Sequence, residues 1–190
     1  MSMDAGAVIG LLRTLKHDFF NHLQVISGYL QLNKASEGKE YIRRVVDEYG
    51  EFGKITRLSL PEAALALLLS RHEAVQKGIE VVFEVQTDLA GAGLPGEKAG
   101  FCLEAALAEA VFALLSPPGK QRQVKVCLKE EQGGYACLVD FFAGAAGREG
   151  EQRIKERIGE VNGCLAHHGG RAEFRVTGER GQIFLYFPKR

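Results

Sequence analysis

Lys16-His17-Asp18-Phe19-Phe20-Asn21-His22-Leu23-Gln24-Val25-Ile26-Ser27-Gly28-Tyr29-Leu30-Gln31-Leu32 reads as one amphipathic helix. At about 100° per residue, Leu12, Leu15, Phe19, Leu23, Ile26 and Leu30 recur at steps of three and four and share one side, which predicts a buried stripe. His17 falls near the opposite pole, with Arg13, Asn21 and Gln24 as neighbours, so its imidazole is expected on the wet face. Helical phase separates the two histidines. His22 projects within one residue of Leu15 and Leu23, the position of a seam or core histidine hydrogen-bonded to a neighbour.

Outward from this stretch, helical periodicity runs from about Asp4 to Asn33, longer than an ordinary globular helix and suited to a bundle. Asn33-Lys34-Ala35-Ser36 reads as a turn with Ser36 as N-cap. A second helix carries Ile42, Val45, Tyr49, Phe52 and Ile55, with Gly50 and Gly53 each costing about 1 kcal/mol relative to alanine near its end. Two antiparallel helices cannot enclose a core, because each apolar stripe keeps an open flank. The expected remedy is a homodimer that closes into a four-helix bundle.

Ser59-Leu60-Pro61 breaks the helical pattern, and the signals then alternate between helix and strand. The predicted organisation is α+β, with a helical hairpin at residues 1–59 and an α/β domain at 60–190. Pro61 opens a helix that closes at Gly78, and Ile79, Val81, Phe83 and Val85 alternate as a strand. A glycine-rich loop from Ala90 to Gly100 leads into an apolar helix from Phe101 to Leu115, stopped by Pro117-Pro118-Gly119. Strands follow at Val124–Leu128 and Tyr135–Phe141, then a helix from Gln152 to His167, and a hairpin pairs the strands around Phe174 and Leu185.

Composition narrows the classes. Of 190 residues, 46% are hydrophobic, enough for a sizeable core, and 24 acidic residues balance 24 basic ones. No net field recruits nucleic acid or an anionic membrane. The N-terminus lacks a signal-peptide pattern and no apolar run approaches about 18 residues, so the cytoplasm is the expected location. Cys102, Cys127, Cys137 and Cys164 are widely spaced, with no metal-ligand or redox spacing, and read as small apolar residues. His72 reads as a surface histidine, and His167-His168 as a helix C-terminus favoured by the dipole.

The register of a basic residue, His17-Asp18, Asn21, Leu23-Gln24, Ile26, Gly28, Leu30 and Leu32 resembles the phosphoacceptor helix of the sporulation initiation phosphotransferase family. It is also similar to the helical hairpin of citrate- and malate-type sensor histidine kinases. The resemblance implies that His17 carries a phosphoryl group on a dimeric four-helix bundle. Lys16 stands where the family often has arginine, keeping the charge but losing the bidentate fork. The residue types suit this chemistry on their own terms. A neutral imidazole is a competent nucleophile near pH 7, and cations from Lys16 and Arg13 could meet the equatorial oxygens. Asp18 could accept the other ring N–H and fix the tautomer, while Asn21, one turn on, is expected to touch the phosphoryl group or an attacking water.

Residues 60–190 resemble the ATP-binding domain of histidine kinases, most of all from Ile158 through His168-Gly169-Gly170 to Phe187-Pro188. Several features of that family are missing. The helix expected to carry a magnesium-binding Asn, Ala106 to Pro117, has none. Asp140-Phe141-Phe142-Ala143-Gly144 keeps the Asp and second Gly of an Asp-x-Gly-x-Gly box but puts Phe142 at the first Gly, where its ring would fill space left for nucleotide. The second glycine-rich box and its lid are absent between Gly147 and Gln152, and Asp140 reads as a relic facing solvent or capping a turn.

The resemblance therefore implies a phosphorelay phosphotransferase that accepts a phosphoryl group from the Asp of a single-domain response regulator. It would pass that group to the Asp of a second, transcription-factor regulator, without ATP. No cofactor is expected on this chain, and Mg2+ is expected in the partner's acidic pocket. Two alternatives stand beside it. One is a soluble sensor histidine kinase with a divergent ATP site; the other is a non-enzymatic docking module that sequesters a regulator.

Overall fold

The computed structural model describes residues 5–115, 122–144 and 147–190. Pro117-Pro118-Gly119 and Asp4 lie outside the described residues. The chain divides into two compact units, Ser2–Gly53 and Lys54–Arg190.

In the first unit α1 (Ala5–Gln31) and α2 (Ala35–Ile55, which runs on into the second unit) form an antiparallel hairpin. The Tyr29 and Tyr41 ring centroids are 6.0 Å apart near the turn, and those of His22 and Tyr49 are 5.9 Å apart further along. Asn33 ends α1. At φ 55° it occupies the left-handed region that asparagine tolerates better than most residues. The Lys34 N–H then reaches back to the Tyr29 carbonyl at 2.9 Å, satisfying an orphan acceptor of the last turn. Ser36, expected to cap α2, lies inside its first turn and donates instead to the Glu37 carboxylate at 2.8 Å. With that hydroxyl beside it, the Glu37 carboxyl is held below its usual range.

The expected stripe of α1 is buried only in part. Leu11 is buried and Leu15 and Ile26 are half-buried, whereas Leu12, Phe19, Leu23 and Leu30 are exposed, the last at 62%. On α2, Ile42 and Val46 are exposed as well. The residues facing the other helix of the hairpin are turned toward the His22–Tyr29 side, so one flank of the apolar face stays uncovered.

In the second unit α3 (Pro61–Gln76), α4 (Gly96–Ala113) and α5 (Gly147–Ala166) lie on one face of a five-stranded sheet. The strands are β1 (Glu80–Val85), β2 (Gln123–Glu131), β3 (Gly134–Phe142), β4 (Arg171–Thr177) and β5 (Arg180–Pro188), in the order β1-β2-β3-β5-β4. β1 and β2 are parallel and the other neighbours antiparallel, which makes the sheet mixed. Pleating sends Val124, Val126 and Leu128, with Cys137, Val139 and Phe141, and with Ile183, Leu185 and Phe187, into one core with Leu103 and Leu107 of α4. α4 begins five residues before the predicted Phe101 because the glycine-rich segment continues into it. Gly100 lets α4 approach α3, since a Cβ there would lie 2.8 Å from the Glu62 carbonyl oxygen. α5 likewise starts at Gly147, before the predicted Gln152.

The cysteines behave as apolar residues. Burial pushes the Cys137 thiol up to about 12, and burial together with neighbouring Cys164 pushes Cys102 up to about 12. At pH 8 such a group is thiolate in only about one part in 10⁴. Alkylation of the native protein is therefore expected at Cys127 and Cys164 but not at Cys102 or Cys137, with all four reacting in guanidinium. Mass spectrometry reads the sites, and rapid modification of native Cys137 would contradict this core.

Candidate functional site

The α1 helix presents His17 to solvent, its side chain 74% exposed. Five residues along, His22 is half-buried, and its Nδ1 hydrogen-bonds with the Tyr41 hydroxyl of α2 at 2.9 Å. One histidine is held by the hairpin seam and the other stands free of it. This is the separation that helical phase predicts.

The neighbours of His17 converge on a single ring nitrogen. The Asn21 amide nitrogen lies 3.1 Å from Nδ1, and an Asp18 carboxylate oxygen lies 3.5 Å from the same atom. Asn21 reaches it because residues four apart are stacked one turn above each other. Asn21 thus touches the ring on its Nδ1 side. Asp18 is near enough to feel the imidazole, although at 3.5 Å the contact is long for a hydrogen bond. Both side chains are exposed, so the contact adds little to stability.

Lys16 points its ammonium toward Phe20, 6.0 Å from the ring centroid. Arg13 is exposed on the same side of the helix. Phe20 was not singled out from the sequence, yet it is exposed at 52% and packs edge-on to Phe19 at 6.1 Å. Its place three residues after His17 was the signal available.

In the second unit, Asp140 is half-buried. It sits on the sheet face away from the helices, opposite Lys125 of β2 and Gln182 of β5. The Gln182 amide donates to it at 2.9 Å and the Arg180 guanidinium at 3.3 Å. Phe142, on the same face, lies against Gly144, where a Cβ would come within 3.0 Å of its ring.

Between α4 and α5 a cleft of about 480 Å³ is lined by Phe101, Glu109, Arg153 and Arg157 among others. Glu109 is only 5% exposed, and the nearest cation is the Arg153 guanidinium, whose Nε is 3.4 Å away. That guanidinium also lies over the Phe112 ring, 3.6 Å from its centroid. A buried carboxylate must be paired, and here the pairing comes from the facing helix, so α5 is tied to α4 at this point. His72 is not a surface histidine: it is half-buried on α3, and its Nδ1 is shielded without a hydrogen-bond partner.

Among the described residues no cluster of His, Cys, Asp or Glu is arranged to hold a metal ion. Among them, too, no helix is long and apolar enough to cross a membrane.

Residues 1–58 match the alpha-helical domain of SpoOB-type sensor kinases. The sensor protein CitS of Halalkalibacterium halodurans is 35% identical over 81 residues, which are 41% of this chain and 15% of that protein. The chain therefore corresponds to a small part of that relative's length. Among solved structures, the Acinetobacter baumannii histidine kinase AdeS aligns with a TM-score of 0.52 at 10% identity, covering 92% of this chain and 98% of the other. The catalytic domain of histidine kinase ThkA aligns with a TM-score of 0.51 at 13% identity, over 67% of this chain and 91% of that one. The first 58 residues thus share the sequence pattern of that alpha-helical domain, and the fold is like that of solved histidine kinase structures.

Proposed function

We propose that the chain is a phosphotransferase that carries a phosphoryl group on His17 between the aspartates of two response regulators, a single-domain regulator and a transcription-factor regulator, in the cytoplasm. The observation that carries this reading is the outward imidazole, 74% exposed, with Asn21 and Asp18 of its own helix beside Nδ1. The Nε2 lone pair attacks phosphorus, the bond from phosphorus to the regulator's carboxylate oxygen breaks, and the carboxylate leaves with the electron pair. Transfer to the second regulator runs the same exchange in reverse. Arg13 and Lys16 supply positive charge on this face, and Mg2+ stays with the regulator. No cofactor is needed on this chain.

ATP is not the donor in this account. Buried Glu109 faces the chain's own Arg153, and Phe142 stands where the family's box has glycine. The second reading is a sensor kinase that phosphorylates His17 from ATP, favoured by the kinase-like fold and by the CitS similarity. Incubation with γ-labelled ATP separates them, since the phosphotransferase takes up no label without a phosphorylated regulator.

We take the working form to be a homodimer. Burying the half-exposed Phe19, Leu23 and Leu30 against a second copy contributes about 1 kcal/mol for each side chain, counted twice by symmetry. Sedimentation at micromolar concentration is expected to show a dimer, and Leu23→Glu, which sets a charge within the apolar flank, a monomer. A monomeric parent protein would contradict the four-helix bundle.

A further inference from the structure

We propose that the cleft between α4 and α5 binds a small organic dication, a linear aliphatic diamine, with one ammonium at buried Glu109 and the other among the carboxylates of the rim. The proposal is independent of the role of His17. Helical spacing builds the cleft. On α4, Phe101, Glu104, Ala108 and Glu109 follow at i, i+3, i+7 and i+8 and share one face. On α5, Arg153, Glu156, Arg157 and Glu160 follow at i, i+3, i+4 and i+7 and form the facing stripe. The space between them, about 480 Å³, falls within the range of about 300–1,000 Å³ usual for small-molecule sites.

Glu109 is the observation that points to a ligand. It is 5% exposed and lines the cleft, yet its Oε2 receives no hydrogen bond. Arg153 brings Nε to 3.4 Å from this oxygen, which offsets charge without donating to it, because the guanidinium is held over the Phe112 ring instead. A carboxylate taken out of water keeps its demand for donors, and an ammonium head supplies three in a compact group. Arg153 reaches Glu109 from solvent, its side chain 54% exposed, so it can swing outward and admit that head without opening the core. The charge balance selects the rest of the ligand. Glu104, Glu156 and Glu160 are exposed at the rim, and Arg157 is engaged by Glu160 at 2.5 Å. Among the described residues, the lining carries four carboxylates against two guanidiniums, an excess of two negative charges that repels anions and that a single ammonium leaves half unmet. Two ammonium groups on a methylene tether meet it, with the tether along the apolar surface of Phe101 and Ala108. Among the described residues these carboxylates form no metal-holding cluster, so the complementary cation is organic.

The experiment titrates the full chain with 1,5-diaminopentane by isothermal calorimetry, with melting temperature followed in parallel. Saturable binding of one diamine per chain is expected, and 1-aminopentane, which has the same tether and one charge, should bind about tenfold more weakly or worse. Glu109→Gln keeps the side chain's shape and should weaken diamine binding by about tenfold or more. Should that variant not fold, Glu104→Gln at the exposed rim gives the same test and should weaken binding severalfold. Arg153→Ala removes the competing cation, so the diamine should bind severalfold more tightly and raise the melting temperature further than it does in the parent. A purely structural Glu109–Arg153 pair gives no such rescue. Absence of saturable binding at millimolar diamine, equal affinity for 1-aminopentane, affinity unchanged in Glu109→Gln or in its Glu104→Gln substitute, or saturable binding of ATP in place of the diamine would each overturn the proposal.

Discussion

His17→Ala is expected to abolish phosphoryl uptake from a phosphorylated regulator while changing stability by less than about 0.5 kcal/mol, as for other exposed positions. The contrast follows from where the side chain stands. It is 74% exposed, and its described contacts are to Asn21 and Asp18 on the same exposed helix face. Removing it leaves no buried polar group unpaired and opens no cavity. Function has no such reserve, because no neighbouring group can replace the imidazole as nucleophile. Lys16 is a cation and Asp18 a weak nucleophile next to an acyl phosphate. His22→Ala should do the reverse, sparing transfer and loosening the hairpin through loss of the Tyr41 hydrogen bond. If the protein only sequesters a regulator, His17→Ala keeps full activity, and that result would rule out the transfer reading.

Leu107→Ala is expected to destabilise the second unit by about 3–5 kcal/mol, a fall in melting temperature on the order of 10 °C. Leu107 is fully buried on α4, the helix that packs on α3, on α5 and on three strands of the sheet. A cavity at such a position is bounded on every side by close-packed core, so it cannot collapse cheaply. Differential scanning calorimetry reads the effect. A shift below about 2 °C would mean that the α4–sheet core is not packed as described.

The parts of this protein legible in the sequence are those governed by helical period and strand alternation. The opposite exposure of His17 and His22 follows from five residues at about 100° each, and the inward Val124, Val126 and Leu128 follow from a period of two. Local competition was harder to read. Ser36 has a capping side chain, but Asn33 could adopt the left-handed conformation, so the turn closed one step earlier and left Ser36 within the helix. Glycines in the segments before α4 and α5 suggested loop, yet close approach to α3 at Gly100 favours helix there.

Tertiary pairing left the weakest trace. Glu109 and Arg153 lie on helices separated by a strand hairpin, and nothing local marks them as partners. The partners of Asp140 were hidden for the same reason, because Gln182 and Arg180 reach it only through strand register. At the candidate site the residue types were readable, but not the atom they address. Spacing puts Asn21 over His17, while the choice of Nδ1 depends on rotamers of both side chains.

The most direct test of the account is to incubate the purified chain with a single-domain regulator labelled on its aspartyl phosphate, with γ-labelled ATP alone in a parallel sample, and to map the label. The account predicts acid-labile label on His17 from the regulator, its passage to a second regulator, and none from ATP. Label on His17 from ATP alone, or none from the regulator, would contradict it.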